Sequence, residues 1–301
     1  MTRTATPPTE EERDERREQE RQLVAQAVAE LKSSDGWQRW LATRSRFHRY
    51  SFGNQMLIAF QRPTAEHVAG FRKWLELGYC VRKGEHGIRI WAPIPPSKAK
   101  VERFEQARKE ASSALRTELE GERPRTAFRL VAVFAQDQVE ELPPPAVPAP
   151  LSVPIADVDG DTLADRLPQL IGFAETIGSA VRFEDLGRAS RHGCYMPADK
   201  SIVIGTGRSP NQQVKTLIHE LGHALVRADK QDSDPTLDYA QEELVVESVA
   251  FSVAGVIGLD TSSYSLPYLA AWSEHSDIAV IEQTAKLVNR LANRLEDALS
   301  V

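Results

Sequence analysis

The sequence predicts an α+β protein of two domains, a small α+β module followed by a mainly helical half that contains a small sheet. Three observations lead there. Residues 219–223 read His-Glu-Leu-Gly-His inside a stretch with apolar residues at helical spacing. A proline-rich run, Leu142-Pro143-Pro144-Pro145-Ala146-Val147-Pro148-Ala149-Pro150, divides the 301 residues. The charge divides with it: residues 37–91 hold ten Lys/Arg against three acids, and residues 201–301 hold seven against fourteen, within a net charge of −6. A basic module joined to an acidic one follows.

Taken in chain order, residues 1–35 read as an extension. Its first twenty residues are dense in charge and poor in apolar side chains, which predicts a disordered or solvated start. A helix is expected over about 19–32, through Leu23, Val24, Ala27, Val28 and Leu31. The module spans 36–141. Helices are expected near 37–47, 53–61 and 67–77, the last closed by Gly78. Strands follow at 79–82 and 87–91, joined as a ribbon by the turn Lys83-Gly84-Glu85-His86, and a further strand at 128–134 completes the sheet. Residues 97–122 form a charged helical insertion. The proline linker covers 142–154, and the second domain runs from 155 to 301, ending in an amphipathic helix over 277–299. The apolar run 201–205 reads as a strand, with Ser209 as cap and Pro210 as first residue of the helix that carries the pentad.

Histidines four apart lie on one helical face, so His219 and His223 can both direct a ring nitrogen at one Zn²⁺, with Glu220 beside the bound water as general base. A third ligand is expected in Gln241-Glu242-Glu243-Leu244-Val245-Val246-Glu247, where acids interrupt an apolar run. Buried carboxylates are costly unless paired or metal-bound. Glu243 and Glu247 share a face at i and i+4. Glu243 is taken as the ligand and Glu247 as acceptor of a ligand histidine's free N–H, with the reverse assignment open. Glu242 lies about 100° round that helix and is read as solvated. The strand at 201–204 is expected at the sheet edge, as a rail for an extended substrate. Gly222 within the helix costs about 1 kcal/mol against Ala, which suggests a close backbone approach by substrate or by the neighbouring sheet.

In the first module, arginines alternate with aromatics: Arg46-Phe47-His48-Arg49-Tyr50-Ser51-Phe52, Phe71-Arg72-Lys73-Trp74 and Arg89-Ile90-Trp91. Cations that track phosphates and rings that stack on bases hold single-stranded nucleic acid with little sequence preference. Candidate contacts are Arg46, Arg49, Tyr50, Asn54, Arg72, Lys73, Arg82, Lys83 and Arg89. Taken singly, Phe47, Phe52, Trp74 and Trp91 are better read as core. No apolar run approaches the ~20 residues of a membrane span. Two cysteines without CxxC spacing, Cys80 and Cys194, fit a reducing, cytoplasmic setting.

The same segments carry a family resemblance. Tyr50-Ser51-Phe52-Gly53-Asn54-Gln55, Val68-Ala69-Gly70-Phe71 and Val81-Arg82-Lys83-Gly84-Glu85 resemble the N-terminal single-stranded-DNA-binding domain of ArdC-type antirestriction proteins. Cys194-Tyr195-Met196-Pro197, the 219–223 pentad, residues 242–247 and Tyr268-Leu269-Ala270-Ala271-Trp272 resemble that family's zincin-like metallopeptidase domain, akin to ImmA/IrrE-type zinc peptidases. The resemblance implies carriage on mobile elements and protection of entering single-stranded DNA, with a gluzincin-type centre of His219, His223, Glu243 and Zn²⁺ and an unidentified protein substrate.

The tetrahedral oxyanion needs a donor besides the metal. Tyr195, Tyr268 and His192 are candidates, with Tyr195 preferred. Two other functions fit the same residues: a protease delivered by DNA to a repressor or nuclease, and a strand-coating protein whose zinc is structural.

Overall fold

The computed structural model describes residues 10–110, 126–143, 158–187, 192–259 and 277–301. Helix α1 (Glu10–Glu30) starts earlier than the charge-dense sequence suggests, supported at Glu18 by hydrogen bonds from Arg21 and Gln22. Such i,i+3 and i,i+4 pairs support the solvated first turns, and Leu23, Val24 and Ala27 further along pack against the core. Helix α2 (Ser34–Arg46) begins where the Ser33 hydroxyl accepts the N–H of Gly36, and α3 (Phe52–Gln61) where Ser51 accepts that of Asn54.

Then come β1 (Val68–Ala69), α4 (Phe71–Glu76), β2 (Tyr79–Val81), β3 (Ile88–Ile94), α5 (Lys98–Glu110), β4 (Ala127–Ala135) and β5 (Val139–Glu141). Strands β2 and β3 do not form the expected ribbon. Strand β2 pairs with β5, while β3 lies antiparallel to β4, which also carries β1. The Gln138 side chain holds this arrangement, donating to His86 O and Glu85 while it accepts from Ala135 N–H. Pairing between segments so far apart leaves no local trace in the sequence. The later part of the charged insertion, and the linker beyond Pro143, lie outside the described residues.

The second half contains α6 (Arg166–Thr176), β6 (Ala180–Glu184), β7 (Gly193–Met196), β8 (Ser201–Gly205), α7 (Pro210–Ala228), α8 (Tyr239–Val256) and α9 (Ile278–Ala298). The expected cap is present: Ser209 Oγ accepts from Gln212 N–H, with Pro210 at the first helical position. Strand 201–205 is not an edge. It is the middle strand, parallel to β6 and antiparallel to β7, and all five residues are buried. The edge beside α7 is β7. There a Cβ on Gly193 would stand 2.6 Å from Thr216 Cγ2, so the strand comes directly onto the helix. Gly222 serves a different approach, since its Cβ position is 3.0 Å from Val246 Cγ1 on α8.

One continuous apolar core runs through both halves. Helix α2 packs on α8, and Trp37 Nε1 donates to Ser248 Oγ at 3.1 Å. Arg44 is fully buried. It pairs with Glu296 of α9, which is 3% exposed, and donates to Asn293 Oδ1 at 2.6 Å and Asn289 Oδ1 at 3.1 Å. Removing one member of a buried pair strands the other charge in an apolar setting. Arg44→Ala is expected to lower unfolding free energy by about 3–5 kcal/mol, whereas Arg44→Met with Glu296→Leu loses much less. Urea unfolding decides this, and equal losses in the two variants would contradict it.

Candidate metal centre and its cleft

Helix α7 places residues 215, 219, 223 and 227 at successive four-residue steps, and the middle two are the histidines. Their rings stand 5.1 Å apart. Helix α8 crosses opposite, close enough that Glu243 lies between them. His219 Nε2 is 3.9 Å from one Glu243 oxygen and His223 Nε2 is 3.4 Å from the other. One ligand atom from each of the three residues falls within 4.8 Å of the others, a separation that one metal ion spans. These are the three residues expected from the sequence.

Each histidine turns its other nitrogen to a second carboxylate. His219 Nδ1 is 3.4 Å from Glu247 Oε1, an ion-pair contact longer than a hydrogen bond. His223 Nδ1 is 2.8 Å from Glu242 Oε1. Glu242 is therefore not solvated. Its side chain is 16% exposed and is also gripped by Arg227 at 2.6 Å. Burial opposes its ionisation, but the hydrogen bonds from Arg227 and His223 outweigh it and hold the carboxyl below its usual range. Glu247 is pushed the other way by burial, with Glu243 adding to the rise and Lys215 opposing it.

Glu220 is 8% exposed and lines the same cleft, which encloses about 580 Å³. Across from it stand His192, Gly193, Cys194, Tyr195 and Pro197, so edge strand β7 forms the facing wall. Tyr195 projects there with the Arg227 guanidinium 5.7 Å from its ring centroid, and burial raises its phenol above the ordinary value. A phenol that keeps its proton can donate a hydrogen bond. His192 is lowered by burial, then by Arg208 and Lys215. Tyr268 and the 268–272 block lie outside the described residues.

The expected nucleic-acid contacts separate into two kinds. Asn54 is buried, its amide donating to Trp91 O and accepting Trp91 N–H, both at 2.8 Å, so it clamps α3 to β3 rather than facing a ligand. Arg46 caps the carbonyls of Pro63 and Ala65, and Arg82 holds the carbonyls of Asp137 and Val139 together with Glu85. Tyr50 is half-buried, edge-on to Phe47. Arg49, Arg72, Lys73 and Lys83 are exposed, Lys73 in an i,i+3 pair with Glu76, while Arg89 is half-buried. Trp74 and Phe47 are core, as expected. Exposed aromatic surface comes from Phe71 and Phe128, which are 51% and 65% accessible.

Sequence reasoning does not single out Arg227. The available signal is its place, four residues beyond His223 on the same face.

Residues 9–134 match the family model of the N-terminal domain of anti-restriction factor ArdC, and residues 174–266 match that of the IrrE N-terminal-like domain. An uncharacterized protein of Bacillus anthracis, pXO2-81, is 26% identical over 268 residues, 82% of this chain but 44% of that protein. The chain thus spans less than half the length of that curated relative. The crystal structure of the antirestriction ArdC protein from the R388 plasmid, in its Mn(II)-bound form, aligns over 92% of this chain and 97% of that one, with a TM-score of 0.50 and 18% identity. At that identity the likeness speaks for the fold.

Burial, with His223 beside it, lowers His219 from 6.5 to about 4. Between those values the unfolded chain takes up a proton that the folded chain refuses, so stability falls as the pH drops. Metal-free protein is expected to lose stability from about pH 6.5 down towards 4, and His219→Gln to flatten that part of the profile. Urea unfolding across the range checks it; an unchanged slope in the variant would count against the assignment.

Proposed function

The chain belongs to the ArdC type, an ArdC N-terminal domain followed by an IrrE-like domain, and from that premise we propose a protein that binds single-stranded DNA and hydrolyses a peptide bond at a metal centre in its second half. The observation that carries the reading is the orientation of the two histidines, Nε2 towards Glu243 and Nδ1 towards separate carboxylates. A histidine whose Nδ1–H is held by a carboxylate keeps the Nε2 lone pair for a cation.

His219, His223 and Glu243 would hold the ion. Two imidazoles and one carboxylate with a remaining open position suit catalytic Zn²⁺, the ion we propose; the R388 relative is Mn(II)-bound, which makes that ion a second probe. A divalent ion supplies a Lewis acid and a water acidified towards ~7. Glu220 takes the proton of the attacking water and returns it to the leaving amine. Tyr195 donates a hydrogen bond to the oxygen on which charge develops. The substrate lies extended along β7, the outer strand of this sheet among the described residues.

For the first half, Arg49, Arg72, Lys73 and Lys83 meet phosphates, and Phe71 and Phe128 offer faces on which bases stack. Binding of this kind shields the strand from nucleases and brings the hydrolytic cleft to DNA-bound proteins. Among the described residues no helix is long and apolar enough to cross a membrane.

Glu220→Gln is expected to cut peptide hydrolysis by roughly 10²–10⁴-fold while leaving metal uptake and DNA binding intact. A screen of restriction and repressor proteins, with and without single-stranded DNA, provides the assay; equal cleavage by the variant would remove Glu220 from the mechanism. If the variant still protects DNA in full, protection does not use hydrolysis. Replacing Arg49 and Lys83 with Glu should weaken single-strand binding and reduce the slope of log K against log salt by about 0.7 for each phosphate no longer neutralised. An unaltered slope would place the binding face elsewhere.

A further inference from the structure

We infer that Arg227 and Glu242 act as one positioning unit for the metal centre, setting the ring of His223 and tying it to edge strand β7. The inference rests on the reading of His219, His223 and Glu243 as metal ligands and adds residues that those ligands depend on. Glu242 Oε1 is shared by His223 Nδ1 at 2.8 Å and Arg227 Nη1 at 2.6 Å. Arg227 Nη2 reaches the other carboxylate oxygen at 3.2 Å, so the guanidinium grips Glu242 with two N–H groups. Nη1 also donates to the backbone carbonyl of His223 at 2.9 Å. The arginine thus touches the ligand residue directly and through the acid.

A carboxylate held at both oxygens has one orientation left, and the imidazole that shares it inherits that orientation. The planar fork is needed for this. A lysine brings the charge without the two parallel donors. The guanidinium also lies over the ring of Tyr195 on β7. Ligand helix, acid helix and substrate wall meet at one side chain. An ordinary exposed ion pair contributes little to stability, and Arg227 is 43% exposed. The pair therefore acts on the geometry of His223 more than on the fold.

The test uses the full chain, stripped of metal and titrated with Zn²⁺ and with Co²⁺ against a chelator, with the Co²⁺ absorption bands as a second readout. Arg227→Ala and Glu242→Ala are each expected to weaken uptake about 10–100-fold and to shift the bands. Arg227→Lys is expected to recover only part of the affinity. The double variant should be no worse than Glu242→Ala alone, because both changes remove one device. Metal-free variants should unfold within about 3 °C of wild type. Wild-type affinity and spectrum in both single variants would overturn the inference alone, as would additive losses in the double variant. Loss of affinity only in step with a large fall in metal-free stability would make the role structural and overturn it too. Failure of the wild-type chain to take up either ion would overturn the metal centre itself.

Discussion

Helix α8 is wrapped by α7, α9 and α2, with residues 244–246, 248–250 and 252–254 buried and Glu247 and Phe251 between them half-buried, and this enclosure fixes how the helix is rotated about its axis. A helix apolar over so much of its surface has only one strip left for charge. That strip carries Glu242, Glu243 and Glu247, and it faces the histidines of α7. Three carboxylates at a partly buried helix crossing are costly in isolation. Here each has a partner in a histidine ring, and Glu242 has Arg227 as well. The core supplies the rotation, and the rotation brings the acids to the histidines.

Much of this is readable from the chain itself. The pentad, its capping Ser209 and Pro210, and the meeting of Glu243 with the two histidines follow from helical spacing and from acids that interrupt an apolar run. Glu242 is misjudged on that basis because a helical wheel gives separations on one helix only. A crossing helix brings partners at two different heights, so Glu243 reaches both Nε2 atoms while its neighbour reaches Nδ1 of His223. The place of β8 has a usable signal in the sequence. Ser201-Ile202-Val203-Ile204-Gly205 is continuously apolar in its middle rather than alternating, the pattern of a strand covered on both faces.

The basic character of the first module also needs a narrower account. Arg44, Arg46, Arg62 and Arg82 are engaged with Glu296, with carbonyls of the 63–65 turn, with Asp137 and with carbonyls at 137 and 139. Composition counts these charges as available for phosphates, whereas the fold uses them to fasten its own parts. What remains for a polyanion is a sparser set around Arg49, Arg72 and Lys83. Tertiary pairing of this sort depends on residues far apart in sequence, which is why periodicity and charge counts could not separate the two uses.

The attachment of α2 to the second half has an evolutionary consequence. Trp37 is hydrogen-bonded to the residue that follows Glu247, and the acid paired with buried Arg44 is on α9. A recombination that joined this first half to a foreign second half would bury an arginine without its acid and leave a tryptophan N–H without an acceptor. The two halves can therefore be inherited as a unit far more readily than they can be shuffled, even though a proline-rich stretch lies between them.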